Sequence, residues 1–226
     1  MWRYPPTDLE RGRALKELVA VSYHRLDAYG FHAMEMVQCL VERRGEGEVG
    51  VASVECLTGE DVWKAGEQSV YDPKLLNEAL SRLKARPLPE GSDLQKLVEH
   101  PVLFVINYRD GLRASVLTLN GAVAEWTAAW RYDDGQTDST LFWTQEERPF
   151  HQFAHLLKGI EQMMHTGKPT WPAERTLLAS GTLDALLNSR KQHRPLPTPY
   201  LDVAYSTDWN WQQPPPPPAG RPINNQ

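Results

Sequence analysis

The spacing of apolar residues changes several times along this chain, and each change marks a predicted element. Residues 15–26, "LKELVAVSYHRL", mix apolar and β-branched side chains and read as a strand. From residue 30 to residue 44 the spacing turns helical, with Phe31, Met34, Val37, Leu40 and Val41 recurring every three or four positions before "GEGEVG" closes the element. "VGVASVECL" (residues 49–57) is a strand by composition. Residues 58–100 read as a helical insertion. "PKLLNEALSRLKA" is a helix with Pro73 near its start, and "SDLQKLVEH" is a short helix with Ser92 as its cap.

The middle of the chain is β-rich. Three turn pairs, Asp110-Gly111, Asn120-Gly121 and Asp134-Gly135, separate four apolar runs, which predicts an antiparallel meander of four strands. A helix follows over residues 150–167, whose stripe of Phe150, Phe153, Leu157, Ile160 and Met164 is expected to face a core. A second begins near Pro172 with Glu174 in its first turn. "YLDVAYS" (residues 200–206) is expected to return to the sheet as a last strand. The segment 207–226 contains five consecutive prolines, cannot build a packed element, and reads as a disordered tail, in which a PxxP ligand is a minor alternative. The pattern predicts an α+β fold over residues 1–206: a mostly antiparallel open sheet with helices packed on one face. The other face would carry Trp126, Trp130 and Trp143 and, being apolar, would seek a partner, most simply in a homo-oligomer.

Composition narrows the function classes. The chain is 41% hydrophobic and 23% charged, with 24 basic and 29 acidic residues for a net charge of −5, so nothing points to nucleic acid or an anionic membrane. No apolar run approaches the roughly 20 residues that span a bilayer. The first residues hold no apolar signal core. Cys39 and Cys56 form neither a CxxC pair nor a disulfide framework, which fits a reducing cytoplasm, and both read as small core residues.

The order of elements then becomes informative. A strand, a helix opened by G-x-H-x-x-[D/E], a second strand, a hairpin meander and "GKPTWPAERTLLASGTLDALLNSRK" together resemble the second, C-terminal domain of the Gfo/Idh/MocA oxidoreductases. "FHAMEMVQCLVERR" and "PAERTLLASGTLDALLNS" resemble a little-characterised bacterial branch of that superfamily. The resemblance runs from about Trp2 to Tyr205. It implies an open-sheet domain that contacts a sugar or cyclitol and forms subunit contacts, beside a Rossmann domain that binds NAD(P) and supplies a lysine. No G-x-G-x-x-G occurs in this sequence, so cofactor binding is implied for the full-length family and not for these residues. Met1 falls where such a cofactor domain would already have ended, so the chain reads as a domain fragment, a truncated product or a miscalled start.

The resemblance also nominates residues. The family's second domain often reads D-x-x-x-H-x-x-D, with the Asp and His near the carbon that loses hydride. His32 matches, Glu35 replaces the last Asp, and Asp27 lies one residue earlier than the pattern asks. A histidine there suits general-base work on a hydroxyl. On a helix, His32, Glu35 and Cys39 share one face; the structural alternative is that His32 packs the helix start and Glu35 holds it by a hydrogen bond. Tyr23, His24 and Arg25, just upstream, reach the same place and become candidate contacts to a polyhydroxylated ligand, with an exposed strand end as the alternative. His151 and His155, at i and i+4, offer a metal spacing without the Glu of H-E-x-x-H, so a solvated helix face is the stronger reading. Two main functions follow. One is the substrate-binding and oligomerisation domain of an NAD(P)-dependent sugar or cyclitol oxidoreductase, inactive alone. The other is a stand-alone, non-catalytic binding or scaffold protein of the same fold. A hydrolase using a metal on His151 and His155 is a third and weaker one.

Overall fold

The computed structural model describes residues 2–144, 150 and 152–215. Its strands are β1 (Trp2–Tyr4), β2 (Leu15–Ser22), β3 (Val51–Thr58), β4 (Val102–Tyr108), β5 (Arg113–Thr118), β6 (Trp126–Tyr132), β7 (Thr137–Trp143) and β8 (Leu196–Pro197). Its helices are α1 (Ala28–Val41), α2 (Glu60–Glu67), α3 (Pro73–Leu80), α4 (Leu94–Leu97), α5 (Gln152–Thr166) and α6 (Ala173–Gln192). The strands form one sheet in the order β1-β7-β6-β2-β5-β4-β3-β8, antiparallel except for the β2–β5 pair. This is the α+β, mostly antiparallel architecture that the sequence pattern predicts.

The meander is split. Asp110-Gly111 and Asp134-Gly135 close the β4–β5 and β6–β7 hairpins, with Gly111 at φ 91° and Gly135 at φ 88° supplying the turn conformation that other residues resist. Asn120-Gly121 does not close a hairpin. β2 inserts between β5 and β6, pairing Val19 with Ser115 on one side and with Ala129 on the other. The chain from β5 to β6 therefore crosses the end of β2, and Asn120 is part of that crossing.

Helices cover both faces, not one. Strand alternation sends Leu18, Ala20, Phe104, Ile106, Val116, Ala128 and Trp130 into a core with α1 and α6. It sends Val19, Val21, Leu103, Val105 and Leu117 into a second core with α2 and α3. The segment expected as a mere insertion is what closes that second face. Its α2 is absent from the sequence reading, and α4 is capped by Asp93 rather than Ser92, whose hydroxyl donates to the carbonyl of Pro89. The expected sticky tryptophan face is likewise absent. Trp126 and Trp130 are buried under α1 and its neighbours, and Trp143 points to the opposite side, where it packs on Trp2 at 5.1 Å between centroids.

Two further expectations change. α5 buries only Gly159, against Trp171, and its apolar stripe faces solvent. In place of a strand at 200–206 there is a 3-10 turn (Pro199–Leu201) and a single bridge between Glu48 and Tyr205. The start of the expected tail is held by arginines: Arg11 and Arg43 donate to the carbonyl of Trp209, and the Arg3 guanidinium lies 4.3 Å from the Trp211 ring centre. Residues 216–226 lie outside the described residues.

Candidate functional site

The C-terminal end of β2 leads into α1 through Tyr23–Asp27, so that Tyr23, His24, Arg25 and Asp27 cluster there, with His32 one turn into the helix. Asp27 accepts a hydrogen bond from the Ala28 amide at 2.8 Å and pairs with Arg25 at 2.7 Å. The Arg25 guanidinium, with the Ala28 amide, lowers the Asp27 carboxyl below its ordinary range. Asp27 is therefore the capping residue of α1, which explains its displacement from the catalytic pattern. His24 adopts a left-handed backbone, φ 68°, and its amide donates to Asn120 Oδ1 at 2.5 Å while Asn120 Nδ2 donates to the His24 carbonyl at 3.2 Å. This reciprocal pair fixes the β5–β6 crossing over the end of β2.

Tyr23, His24 and Arg25 line a cavity of about 410 Å³ together with Asn120, Gly121 and Val123. Its aromatic floor is formed by Tyr23 and His24, which rest on Tyr29 and the buried Trp126 behind them. Tyr23 packs at 4.8 Å on Trp126, Tyr29 stacks at 5.3 Å on Trp126 and His24 stacks at 4.4 Å on Tyr29. Trp126 is held by its indole N–H, which donates to the Ser22 hydroxyl at 3.2 Å.

His32 is exposed one turn into α1, its ring 5.9 Å from Trp126, 6.2 Å from Tyr29 and 6.0 Å from Phe31. It borders the aromatic floor without lining the cavity. Among the described residues no hydrogen bond or ion pair joins it to Asp27 or Glu35, so neither carboxylate orients its imidazole here. Glu35 turns toward α6 and pairs with Arg175 at 2.8 Å; the same guanidinium reaches Glu42 at 3.0 Å, and Tyr205 donates to Glu42 at 2.8 Å. Glu35 thus belongs to a buried charge network that clamps α1 to α6. Burial raises the Glu42 carboxyl, and Arg175 opposes that rise. Nor does Glu35 hold the helix start by bonding His32, as the structural alternative had it.

The remaining candidates lie elsewhere. His151 lies outside the described residues, and His155 sits edge-on to Trp2 at 5.6 Å rather than on a solvated face. Among the described residues no group of three or more metal-ligating side chains comes together. Cys56 is buried as expected, its thiol pushed up to about 12 by desolvation; Cys39 is half-buried and also raised by desolvation. A larger cavity of about 700 Å³ lies between the β3–α2 turn and the end of α6, lined by His100, Arg190, Lys191 and His193 among others, and none of the sequence candidates borders it. We place the candidate site at the smaller cavity because residues of the β2–α1 turn and of the β5–β6 crossing converge there. Sequence reasoning missed Tyr29, Asn120 and Trp126. Only Asn120 carried a local signal, and that signal was spent on a hairpin turn.

A dinucleotide does not fit the turns that could receive one. β2 enters α1 through Asp27, a carboxylate at the place a pyrophosphate would occupy. β3 enters α2 through Gly59 at φ 62°, but Glu60 and Asp61 fill the first helical turn and would repel phosphate. Among the described residues no helix is long and apolar enough to cross a membrane.

No family model and no curated protein matches the chain. Solved structures do. GenD2 from gentamicin A biosynthesis, in complex with NAD, aligns with a TM-score of 0.50 at 12% identity, covering 81% of this chain and 55% of that one. Myo-inositol dehydrogenase from Lactobacillus casei, in complex with NAD(H) and myo-inositol, aligns with a TM-score of 0.50 at 13% identity, covering 81% and 54%. The chain therefore spans about half the length of the solved proteins it matches. At this identity the likeness establishes the fold alone: the α+β, mostly antiparallel open-sheet architecture that the sequence resemblance implied is shared with part of these two proteins.

Proposed function

We propose that this chain is the substrate-binding domain of a sugar or cyclitol oxidoreductase, working in a reducing cytoplasm with an NAD(P)-binding Rossmann domain that these residues do not supply. The observation that carries the reading is the cavity at the end of β2. There an amide (Asn120), a guanidinium (Arg25) and an imidazole (His24) offer donors for hydroxyl groups, and the rings of Tyr23 and His24, backed by Tyr29 and Trp126, offer the surface that receives the C–H face of a ring. Exposed His32 stands beside the half-buried Tyr29, from where it would serve a proton on a ligand that extends past that ring. Asp27 and Glu35 are engaged in a helix cap and a helix–helix clamp, so the proposed proton acceptor is His32 alone. The fold shared with the inositol dehydrogenase supports a polyhydroxylated ring as the ligand class.

Titrating myo-inositol and simple hexoses into the protein while following backbone amide resonances tests this. Millimolar binding is expected, with shifts centred on His24, Asn120 and His32 and lost in Asn120→Ala. Saturation with cyclitols and hexoses that moves none of these signals rules the reading out.

A second reading has its own support: Asp27 and Glu35 are held in a helix cap and a helix–helix clamp and leave His32 without the carboxylate partners of the family pattern, which favours a binding or scaffold protein without hydride transfer. Ligand binding unchanged in His32→Ala, with no turnover on adding NAD(P) and a separately expressed Rossmann domain, would select it.

A further inference from the structure

We propose that α5 pairs with α5 of a second copy of this chain, forming a two-fold dimer through a helix seam rather than through the sheet. Both sheet faces are already covered by helices, so the sheet offers no large apolar surface for assembly. α5 does. Phe150, Phe153, Leu156, Leu157, Ile160, Met163 and Met164 are each between 40% and 76% exposed. They run from just before α5 along one side of it. At 3.6 residues per turn the six within the helix span one contiguous sector, with Lys158, Glu161, Gln162 and His165 outside it. The helix is tied to the loop that follows it by Gly159 against Trp171 and by the Thr170 hydroxyl, which donates to the Gly159 carbonyl at 2.6 Å, and it meets the sheet edge where His155 packs 5.6 Å from Trp2. The apolar sector lies beside that seat and remains open.

The spacing specifies what fits. Phe150, Phe153, Leu157, Ile160 and Met164 alternate three and four residues apart, the seam along which two helices interlock side chains. A self-complementary helix suits an isologous contact, in which one patch serves both partners. Antiparallel pairing aligns the helix dipoles favourably and sets Leu157 against the partner's Ile160. The area is adequate. Seven such side chains about half exposed leave on the order of 600 Å² open, the upper end of what a monomer ordinarily shows. Two copies joined there bury about 1,200 Å², the lower end of stable interfaces.

Sedimentation velocity on the full chain across micromolar concentrations is the first test, with a discrete species of twice the monomer mass expected. Leu157→Glu, at an exposed position whose change leaves the fold intact, should weaken that dimer on the order of 100-fold. Mixing Leu157→Cys with Ile160→Cys protein under mild oxidation should yield a disulfide-linked heterodimer. Wild type and Gln162→Cys, on the far side of the helix, should yield none. A chain that stays monomeric, an open-ended series of aggregates, or a dimer indifferent to Leu157→Glu would each overturn the proposal. A monomer would leave the seam to a different protein or domain. None of these results bears on the ligand cavity, so either proposal can fail alone.

Discussion

Arg175 is the perturbation whose consequences the structure specifies most fully. Its guanidinium makes three separate contacts: Nη1 to Glu35 at 2.8 Å, Nε to Glu42 at 3.0 Å, and Nη2 to the Glu35 carbonyl at 3.2 Å. The side chains of Arg175 and Glu42 are 14% and 2% exposed, while Glu35 keeps 24%. Removing one member of a buried pair costs about 3–5 kcal/mol, because a charge is left in low dielectric without a partner. Glu35 can recover some hydration and Tyr205 still donates to Glu42, so Arg175→Ala should fall near the lower figure. For a chain of this length that is a loss of roughly 6–12 °C in Tm. The pH dependence has a defined sign. Burial already raises Glu42 above its unfolded value of 4.5, with Arg175 as the largest opposing influence. Without the guanidinium the rise is larger. A carboxyl with a raised folded pKa binds its proton more tightly in the native state, so stability is lost as pH increases from the unfolded pKa through the folded one. The deficit of Arg175→Ala should therefore be greatest near pH 8 and shrink toward pH 5. Arg175→Met with Glu42→Gln should recover much of it, since no charge is then stranded. Thermal unfolding of these variants across pH is the assay. A deficit below about 2 °C, or one of equal size at both ends of the pH range, would refute the assignment of this network as the clamp between α1 and α6.

Other outcomes follow from single positions. Gly50 has φ 89°, and a Cβ there would collide with the Leu201 carbonyl and come within 2.8 Å of the Val203 amide; Gly50→Ala should cost about 2–3 kcal/mol in urea unfolding, more than strain alone would take. Thiol labelling at pH 8 should find Cys39 and Cys56 slow in the native protein and both fast in denaturant, since burial holds both thiols protonated; rapid native labelling of Cys56 would contradict its burial. Trp126→Phe removes the bond to Ser22 and part of the aromatic floor, and should cost about 1–3 kcal/mol while broadening the amide signals of Tyr23 and Tyr29; unchanged stability and spectra would mean that Trp126 does not organise the site.

What was legible in the sequence was whatever short-range chemistry decides. β4 to β7 announce themselves by turn pairs and apolar runs, and α3 by its apolar spacing with Pro73 near its start. What was not legible depends on contacts between distant segments. The stripe of α5 has the periodicity of a core-facing helix, and periodicity cannot say whether a core stands opposite it. Trp126 and Trp143 both fall on strands, yet register puts them on opposite faces: Trp126 pairs with Phe142, so the next residue, Trp143, points the other way. Of the family pattern at the start of α1, His32 lands beside a cavity. Asp27 and Glu35 match it in residue type but are claimed by Arg25 and Arg175, partners that the pattern does not contain.

The clearest case is the site itself. Asn120-Gly121 has the residues of a tight turn, and Gly121 does adopt a positive φ of 88°. Locally nothing separates it from the two pairs that close hairpins. The difference is that residues 18–22 of β2 are joined to residues 114–118 of β5 by a parallel pairing, because β2 has taken the place beside β5 that β6 would otherwise fill. Once it has, the β5–β6 chain must cross the carboxyl end of β2, and the residue at the crossing meets the residue leaving the strand. That is the contact of Asn120 with His24. The cavity is thus a product of strand order. Clefts in open sheets form where neighbouring connections part, and here α1 leaves β2 in one direction while the crossing loop leaves β5 in another. A loop shortened by deleting 121–123 would have to abandon that path, so the expected result is loss of the cavity with β2 still seated between its neighbours. Retained His24–Asn120 coupling in such a variant, read from their amide shifts, would show that local turn chemistry rather than strand order builds the site.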